Sequence, residues 1–258
     1  MVGKERKVPV GGCTYISSKN YSMNWNEIQE EIKRCKKCRE EGFYEVRCPD
    51  GRTPSFEPRN VKLLFISEAS PLNTRYYFYY ENSNDRLRNS LFEILRSMNY
   101  KISTIKDFIK AGFFLLPTVK CPSDKNGRNT APRRKVIKLC AENHLRQEIE
   151  CIKPEGICLL GRTALYGFLS LYNAQEKGGK LSEVAGKVLE ADGIKFIPSY
   201  WPSKRHRKFH EISKHIKRLT GDLGNLYKSF QNPPEHNQGT GDMKKSTVTF
   251  HFSIPPHR

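Results

Sequence analysis

Four cysteines of this chain are spaced for metal chemistry. Cys35 and Cys38 form a CxxC inside the basic stretch KRCKKCRE, Cys121 follows the apolar run FFLLPTVK, and Cys140 lies nineteen residues later on what reads as a helix. Side chains three apart on one turn point the same way and can share one centre. Four soft sulfur donors select zinc or an iron–sulfur cluster. Cys48 adds an alternative, because Cys35, Cys38 and Cys48 could begin a zinc ribbon, although no second CxxC completes it. Cys158 sits in the apolar run GICLL and reads as core. Cys13 and Cys151 have no evident ligand partner.

Three further segments carry chemistry. Glu68 closes an apolar run and is followed by Ala69-Ser70-Pro71. A carboxylate at a strand end can orient a water or stabilise a cation; the plainer reading is a solvated loop acid or a helix-cap partner. The run Arg75-Tyr76-Tyr77-Phe78-Tyr79-Tyr80 offers rings that stack on an unpaired base, or that simply pack as a strand or hairpin. Trp201-Pro202-Ser203-Lys204-Arg205-His206-Arg207-Lys208 is a rigid turn followed by cations. Cations and helix N-terminal amides both suit phosphates; a solvated basic helix face is the alternative.

These segments need elements to position them. Short apolar runs at 61–66, 113–119, 156–160 and 194–200 read as strands. Periodic stretches at 24–40, 86–99, 130–152, 162–172 and 206–230 read as helices. The third is opened by Thr130 and Pro132, and the last carries Phe209, Ile212, Ile216, Leu219, Leu223, Leu226 and Phe230 on one face. Residues 43–60 read as loop, 173–193 as a hairpin region around KGGK and ADG, and 246–254 as an optional edge strand. The resulting organisation is an extension over 1–23, one α/β domain over 24–230 and a flexible tail over 231–258.

Strands alternating with helices give a parallel sheet covered on both faces. Ligands of such sheets bind beyond the carboxyl ends of the strands. Here those ends are Ser67 to Pro71, Lys120 to Ser123, Gly161-Arg162 and Trp201 to Lys204. One rim therefore gathers a carboxylate, a cysteine, an aromatic ring and many cations.

Composition points the same way. The 258 residues carry a net charge of +18, with 37% hydrophobic and 28% charged residues. Such an excess implies a polyanionic partner, nucleic acid first and an anionic membrane surface second. The opening MVGKERKVPVGG lacks an apolar signal core, and the longest apolar runs are too short to cross a bilayer. The expectation is an intracellular, cytoplasmic protein whose eight cysteines serve metal ligation and core packing, not disulfides.

On these residues the chain resembles the uracil-DNA glycosylase superfamily, in particular its iron–sulfur (family 4-like) branch, over about residues 30–220. That branch has an N-terminal CxxC, a VKC motif after the second core strand and a Cys on the following helix. Their counterparts are Cys35, Cys38, Val119-Lys120-Cys121 and Cys140. The stretch HLRQEIECIKPEGICLLGRTAL, the segment Ser67-Glu68-Ala69-Ser70-Pro71 and the loop Trp201-Pro202-Ser203 match further family motifs. Two departures stand out: the family's loop His is Trp201, and the Asn before its VKC falls at Pro117. An indole offers one N–H and no titratable site, and proline offers no side-chain amide.

The resemblance implies a three-layer αβα sandwich around a mostly parallel four-stranded sheet, with a [4Fe–4S] cluster on Cys35, Cys38, Cys121 and Cys140. It implies a monofunctional DNA glycosylase, in which Glu68 catalyses and Ser67, Ala69, Ser70, Tyr79 and Trp201 form the base pocket. Arg162, Ser203, Lys204, Arg205, His206, Arg207 and Lys208 would bind single- or double-stranded DNA. The replaced His and Asn point to a modified or non-uracil base, in DNA repair or anti-phage defence. The protein is expected to be a monomer, with no membrane partner. A conventional uracil-DNA glycosylase, a non-catalytic nucleic-acid-binding module on the same fold and a zinc-ribbon protein stay open as alternatives.

Overall fold

In the computed structural model, which describes residues 14–16, 22–174 and 180–222, the chain opens with an antiparallel pair, β1 (Thr14–Ile16) and β2 (Ser22–Asn24). Asn24 then caps α1 (Trp25–Arg34): its Oδ1 accepts from the Glu27 amide at 3.0 Å, and the Glu27 carboxylate accepts from the Asn24 amide at 2.9 Å. This reciprocal box satisfies two amides that a helix start leaves open. The helix breaks at Cys35, whose backbone is extended, and a short turn, α2 (Lys37–Glu40), follows. The expected helix 24–40 is thus two pieces, and the break sits inside the CxxC.

The core alternation follows: β3 (Leu63–Ala69), a short 3-10 turn at Thr74–Tyr76, α3 (Arg86–Arg96), α4 (Ile105–Lys110) and β4 (Phe113–Val119). A small hairpin comes next, β5 (Asp124–Lys125) with β6 (Arg128–Asn129). Then come α5 (Arg134–Cys140), a widened helical turn at Ala141–Leu145, α6 (Arg146–Ile152) and β7 (Gly156–Leu160). The chain continues through α7 (Arg162–Leu169), α8 (Leu181–Val184), β8 (Leu189–Ala191), β9 (Ile194–Ser199) and α9 (Glu211–Asp222).

The sheet has five strands in the order β4-β3-β7-β9-β8. The first four are parallel, and β8 joins β9 antiparallel at the edge. The four-stranded expectation is corrected by this short hairpin, turned at Asp192-Gly193, both of positive φ. β3 lies between β4 and β7, so its residues are buried from both sides through Ser67, and it runs on past the expected end at Ile66 to carry Glu68 and Ala69. Pro117 is tolerated because β4 is the edge strand on that side.

Helices cover the two faces. α7 lies against β3, β4 and β7 and packs on α5; α9 lies against β7 and β9 and packs on α3. The approach of α7 to the sheet is close: a Cβ on Gly167 would stand 2.3 Å from Thr118 Cγ2. The core is rich in rings, with Phe108 contacting Phe65, Phe78, Phe92 and Phe113.

Three helical expectations shift. The helix expected at 130–152 starts at Arg134 and carries the widened turn in its middle. The helix expected at 206–230 starts at Glu211, because residues 201–210 fold as successive turns. Leu223, Leu226 and Phe230, the tail 231–258, the optional strand 246–254 and most of the extension 1–23 lie outside the described residues.

Candidate active site and thiol cavity

Two hollows lie at the carboxyl ends of β3 and β4. The first is a pocket open to solvent. Its wall includes Ser67, Glu68, Ala69 and Ser70 from the end of β3, and Trp201 from the turn after β9. Five of the six expected catalytic and base-pocket residues therefore meet. Trp201 is 39% exposed and packs over Gly161, whose φ of +92° lets β7 turn into α7 without a side chain in the way.

The sixth, Tyr79, does not belong to this pocket. It is buried in the core among Phe56, Tyr77, Phe78 and Phe114. Its hydroxyl donates to the Leu115 carbonyl at 3.0 Å and accepts from the Leu115 amide at 2.8 Å. Two bonds to the edge of β4 hold it where a phenol can be buried at little cost. Its neighbours Tyr76, Tyr77 and Phe78 line the pocket instead.

Glu68 is half-buried. Its Oε2 accepts from Thr163 Oγ1 at 2.8 Å, while Oε1 has no hydrogen bond among the described residues. Thr163 sits in the first turn of α7, so the helix that packs on β3 also aims the carboxylate. Three buried hydroxyl oxygens of pocket-lining residues, Ser70 Oγ, Tyr77 Oη and Ser123 Oγ, have no partner among the described residues. Burial pushes the Tyr77 phenol well above its ordinary pKa, so it stays a donor. Orphan polar groups of this kind cost about 1–3 kcal/mol each unless a ligand meets them.

Asp85, Arg86, Asn129 and Thr130 complete the wall and were not foreseen. Asp85 caps α3, accepting from the Leu87 and Arg88 amides at 3.1 and 3.0 Å. Asn129 and Thr130 arrive on the β5–β6 hairpin, whose Asn126-Gly127 turn has φ of 55° and 74°. That Asn-Gly pair is a strong hairpin signal. The Asn129 side chain accepts from the Leu72 amide at 2.8 Å, tying the hairpin to the loop after β3.

The cationic segment is solvent-facing. Arg162, Lys204, Arg205, His206 and Arg207 are exposed, and Ser203 and Lys208 half-buried. Lys204 pairs with Glu93 at 2.5 Å and Lys208 with Glu211 at 2.7 Å. His206 stacks on Tyr200, and its Nδ1 accepts from the Lys208 amide at 3.1 Å. Arg162, Arg205 and Arg207 have no ion pair among the described residues.

The second hollow is lined by Cys35, Cys38, Cys48, Cys121 and Cys140, so all four expected ligands share one cavity with a fifth thiol. Cys35 stands at the break after α1, Cys38 in α2, Cys121 just past β4 and Cys140 at the end of α5. Cys140 Sγ accepts from the Lys120 amide at 3.4 Å, and Cys48 Sγ donates to the Lys36 carbonyl at 3.8 Å. Burial pushes the Cys121 thiol up to about 12 and Cys140 to about 11, and lifts Cys35 and Cys38 as well. Thiols this buried stay protonated unless a cationic centre compensates the thiolates. Among the described residues no three His, Cys, Asp or Glu side chains stand ready to hold a single metal ion. Thiols gathered around one hollow are the soft donor set that an iron–sulfur cluster or zinc takes.

Beside this cavity Lys120 is ion-paired with Glu148, the two side chains being 2% and 1% exposed. Lys120 Nζ also donates to the Pro117 carbonyl at 2.6 Å, and Gln29 donates to Glu148 at 3.2 Å. Lys120 is thus committed to the core and absent from the pocket wall, out of reach for covalent chemistry there. Cys158 is fully buried in β7, as expected for a core residue. Cys151, however, is disulfide-bonded, which corrects the expectation that no cysteine pairs oxidatively. It lies on α6, against which β1 packs, so that helix is where the N-terminal region meets the domain.

Two comparisons bear on these hollows. A family model described as the uracil DNA glycosylase superfamily matches residues 54–224, about two thirds of the chain. The matched span holds the whole pocket but begins after Cys35, Cys38 and Cys48. No curated protein matches the chain. Among the described residues no helix is long and apolar enough to cross a membrane.

Proposed function

Since the chain belongs to the uracil-DNA glycosylase superfamily, whose members are DNA glycosylases, we propose that it hydrolyses the N-glycosidic bond of a flipped-out base other than ordinary uracil, leaving an abasic site. The observation that carries this reading is Glu68. It stands at the end of β3 in an open pocket, with one oxygen fixed by Thr163 and the other free for substrate.

In this reading Arg205 and Arg207 meet backbone phosphates, and one nucleotide is extruded into the pocket. Trp201 and Tyr76 flank the entrance, where rings stack on a displaced base. The hydroxyls of Ser70, Tyr77 and Ser123, buried in the wall, meet the polar edge of the base once the entering nucleotide shifts the side chains around them. As the base departs, positive charge grows on the sugar. The Glu68 carboxylate stabilises that charge and orients the attacking water, whose proton it accepts. With Lys120 locked against Glu148, no amine attacks the sugar, and the enzyme is monofunctional.

The choice of base rests on what the pocket lacks. Trp201 replaces an imidazole, and Pro117 replaces an amide, so the groups suited to uracil are absent from their places. A pocket lined with hydroxyls suits a base with an added polar substituent, such as a modified cytosine. The protein acts inside the cell, as a monomer, on single- or double-stranded DNA, in repair or in defence against phage.

We assign a [4Fe–4S] cluster to Cys35, Cys38, Cys121 and Cys140. The cluster supplies a structural staple, joining the N-terminal helices to the ends of β4 and α5.

The test is incubation with DNA carrying a panel of bases, including uracil and substituted cytosines, followed by alkali and by mass analysis of released bases. Strand breaks at a substituted base, with the matching free base, support the reading. Rapid release of uracil alone replaces it with a conventional uracil-DNA glycosylase. The changes at Trp201 and Pro117 also favour a second reading, a DNA-binding module without catalysis; tight binding with no base released from any DNA establishes that one.

A further inference from the structure

His144 is the polar residue of the thiol cavity whose bonding does not close. It is 5% exposed, and neither Nδ1 nor Nε2 has a hydrogen-bond partner among the described residues. A buried imidazole with two orphan nitrogens forfeits about 1–3 kcal/mol for each unmade bond, so something should meet it.

The cavity wall shows what is available. Its other polar groups, thiols aside, are Lys37, Lys120 and Asn143. Lys37 bonds the Asn143 side chain, Asn143 donates to the Leu139 carbonyl at 2.7 Å, and Lys120 is held by Glu148. No carboxylate lines the cavity. What remains for His144 on that side is sulfur, or whatever the sulfurs hold. Its other flank borders a surface groove with Glu27, Glu31 and Gln147, none of which bonds the ring. Both ring nitrogens are shut off from solvent, so the groove does not satisfy the second one either.

The local backbone explains the placement. His144 follows Cys140 by four residues, a separation that places both on one side of an α-helix. The widened turn Ala141–Leu145 begins at that point. Such turns recur at functional sites because they re-aim one side chain without breaking the helix.

We propose that His144 donates a ring N–H to the sulfur atoms of the centre bound by Cys35, Cys38, Cys121 and Cys140, and so sets that centre's reduction potential without being a ligand. This rests on the cofactor reading above. Hydrogen bonds to cluster sulfurs raise the potential, because they stabilise the form with one more negative charge. In the assay one electron from dithionite enters the cluster, the ring keeps its proton and no bond is broken.

The experiment uses the full chain, purified anaerobically. Iron and sulfide per chain and visible absorption are measured first on the unaltered protein. Iron-free, colourless protein removes the cofactor reading and this proposal with it, before any variant is examined. With iron present, the midpoint potential of His144→Leu should fall by a tenfold change in the one-electron equilibrium, about 59 mV, with iron content unchanged. His144→Gln, which keeps a donor, should recover part of that shift. Pulsed EPR of the reduced, unaltered protein grown on ¹⁵N-histidine should show a weak nitrogen coupling; this measurement stands even if the Leu variant fails to fold. An unchanged potential in His144→Leu, or no nitrogen coupling, overturns the proposal. So does a strong coupling of direct ligation, joined to loss of iron in both variants.

Discussion

The two hollows at the end of the sheet are built on opposite terms. The first pocket is open, its acid is held by one oxygen only, and three of its lining residues carry buried hydroxyl oxygens with no partner among the described residues. The thiol cavity is tightly packed, and the residues around it are largely bonded to one another: Lys120 to Glu148 and Pro117, Gln29 to Glu148, Lys37 to Asn143. The open pocket leaves an acid oxygen without a partner among the described residues, whereas around the thiols the charged groups are tied down and the neutral His144 ring is what stays unpaired. The difference teaches where a substitution will be felt as lost turnover and where as lost stability.

The contrast is broken most directly at Glu68. Glu68→Gln keeps the Thr163 contact but removes the charge and the proton acceptor. Base release should fall by about 10²–10⁴-fold, followed as abasic sites per minute, with DNA affinity and urea midpoint unchanged. A comparable loss of stability would show that the pocket is no more independent than the cavity. On the cavity side, Glu148→Gln leaves the Lys120 ammonium buried without its counter-charge. The cost should be about 3–5 kcal/mol, read from urea unfolding. Unaltered stability there would remove the distinction.

Smaller changes sharpen it. Ser123→Ala and Tyr77→Phe each delete one waiting hydroxyl. Each should lower kcat/KM on the preferred base about threefold to tenfold, the size of one net hydrogen bond, with no loss of stability. A gain in stability would be consistent, since an orphan polar atom is removed. Equal losses on every base in the panel would deny these hydroxyls a part in selection. Smallest is the effect of Arg205→Ala or Arg207→Ala. Each should flatten the slope of log binding constant against log salt by about one charge, whatever the DNA sequence.

Much of this arrangement was legible beforehand. The strands at 113–119 and 156–160 stand where apolar runs bounded by turn residues put them, because β4 and β7 are buried along their whole length. The rule that ligands sit beyond strand ends brought Ser67 to Ser70 and Trp201 together although about 130 residues separate them. The cysteines gathered for the same reason: Cys121 follows β4, and Cys140 closes the helix after it.

The misses have identifiable causes. In a run of consecutive aromatics, composition does not say which ring faces inward. Tyr79 was captured by both polar groups of Leu115, a contact 36 residues away. The Asn126-Gly127 turn was a local signal in plain view, and reading it would have placed Asn129 and Thr130 on a hairpin. The basic segment after Trp201 looked helical because cations have high helix propensity, yet the turns Ser203 to His206 and His206 to Phe209 hold it open.

Ala69 belongs to both hollows: it borders the base pocket and packs against the cluster of buried residues that includes Cys38, Cys48, Cys121 and Cys140. One methyl group therefore borders both the open pocket and the packing around the thiols. Enlarging it would crowd two rooms at once, whereas the hairpin that carries Asn129 and the exposed ring of Tyr76 have solvent beside them and room to change.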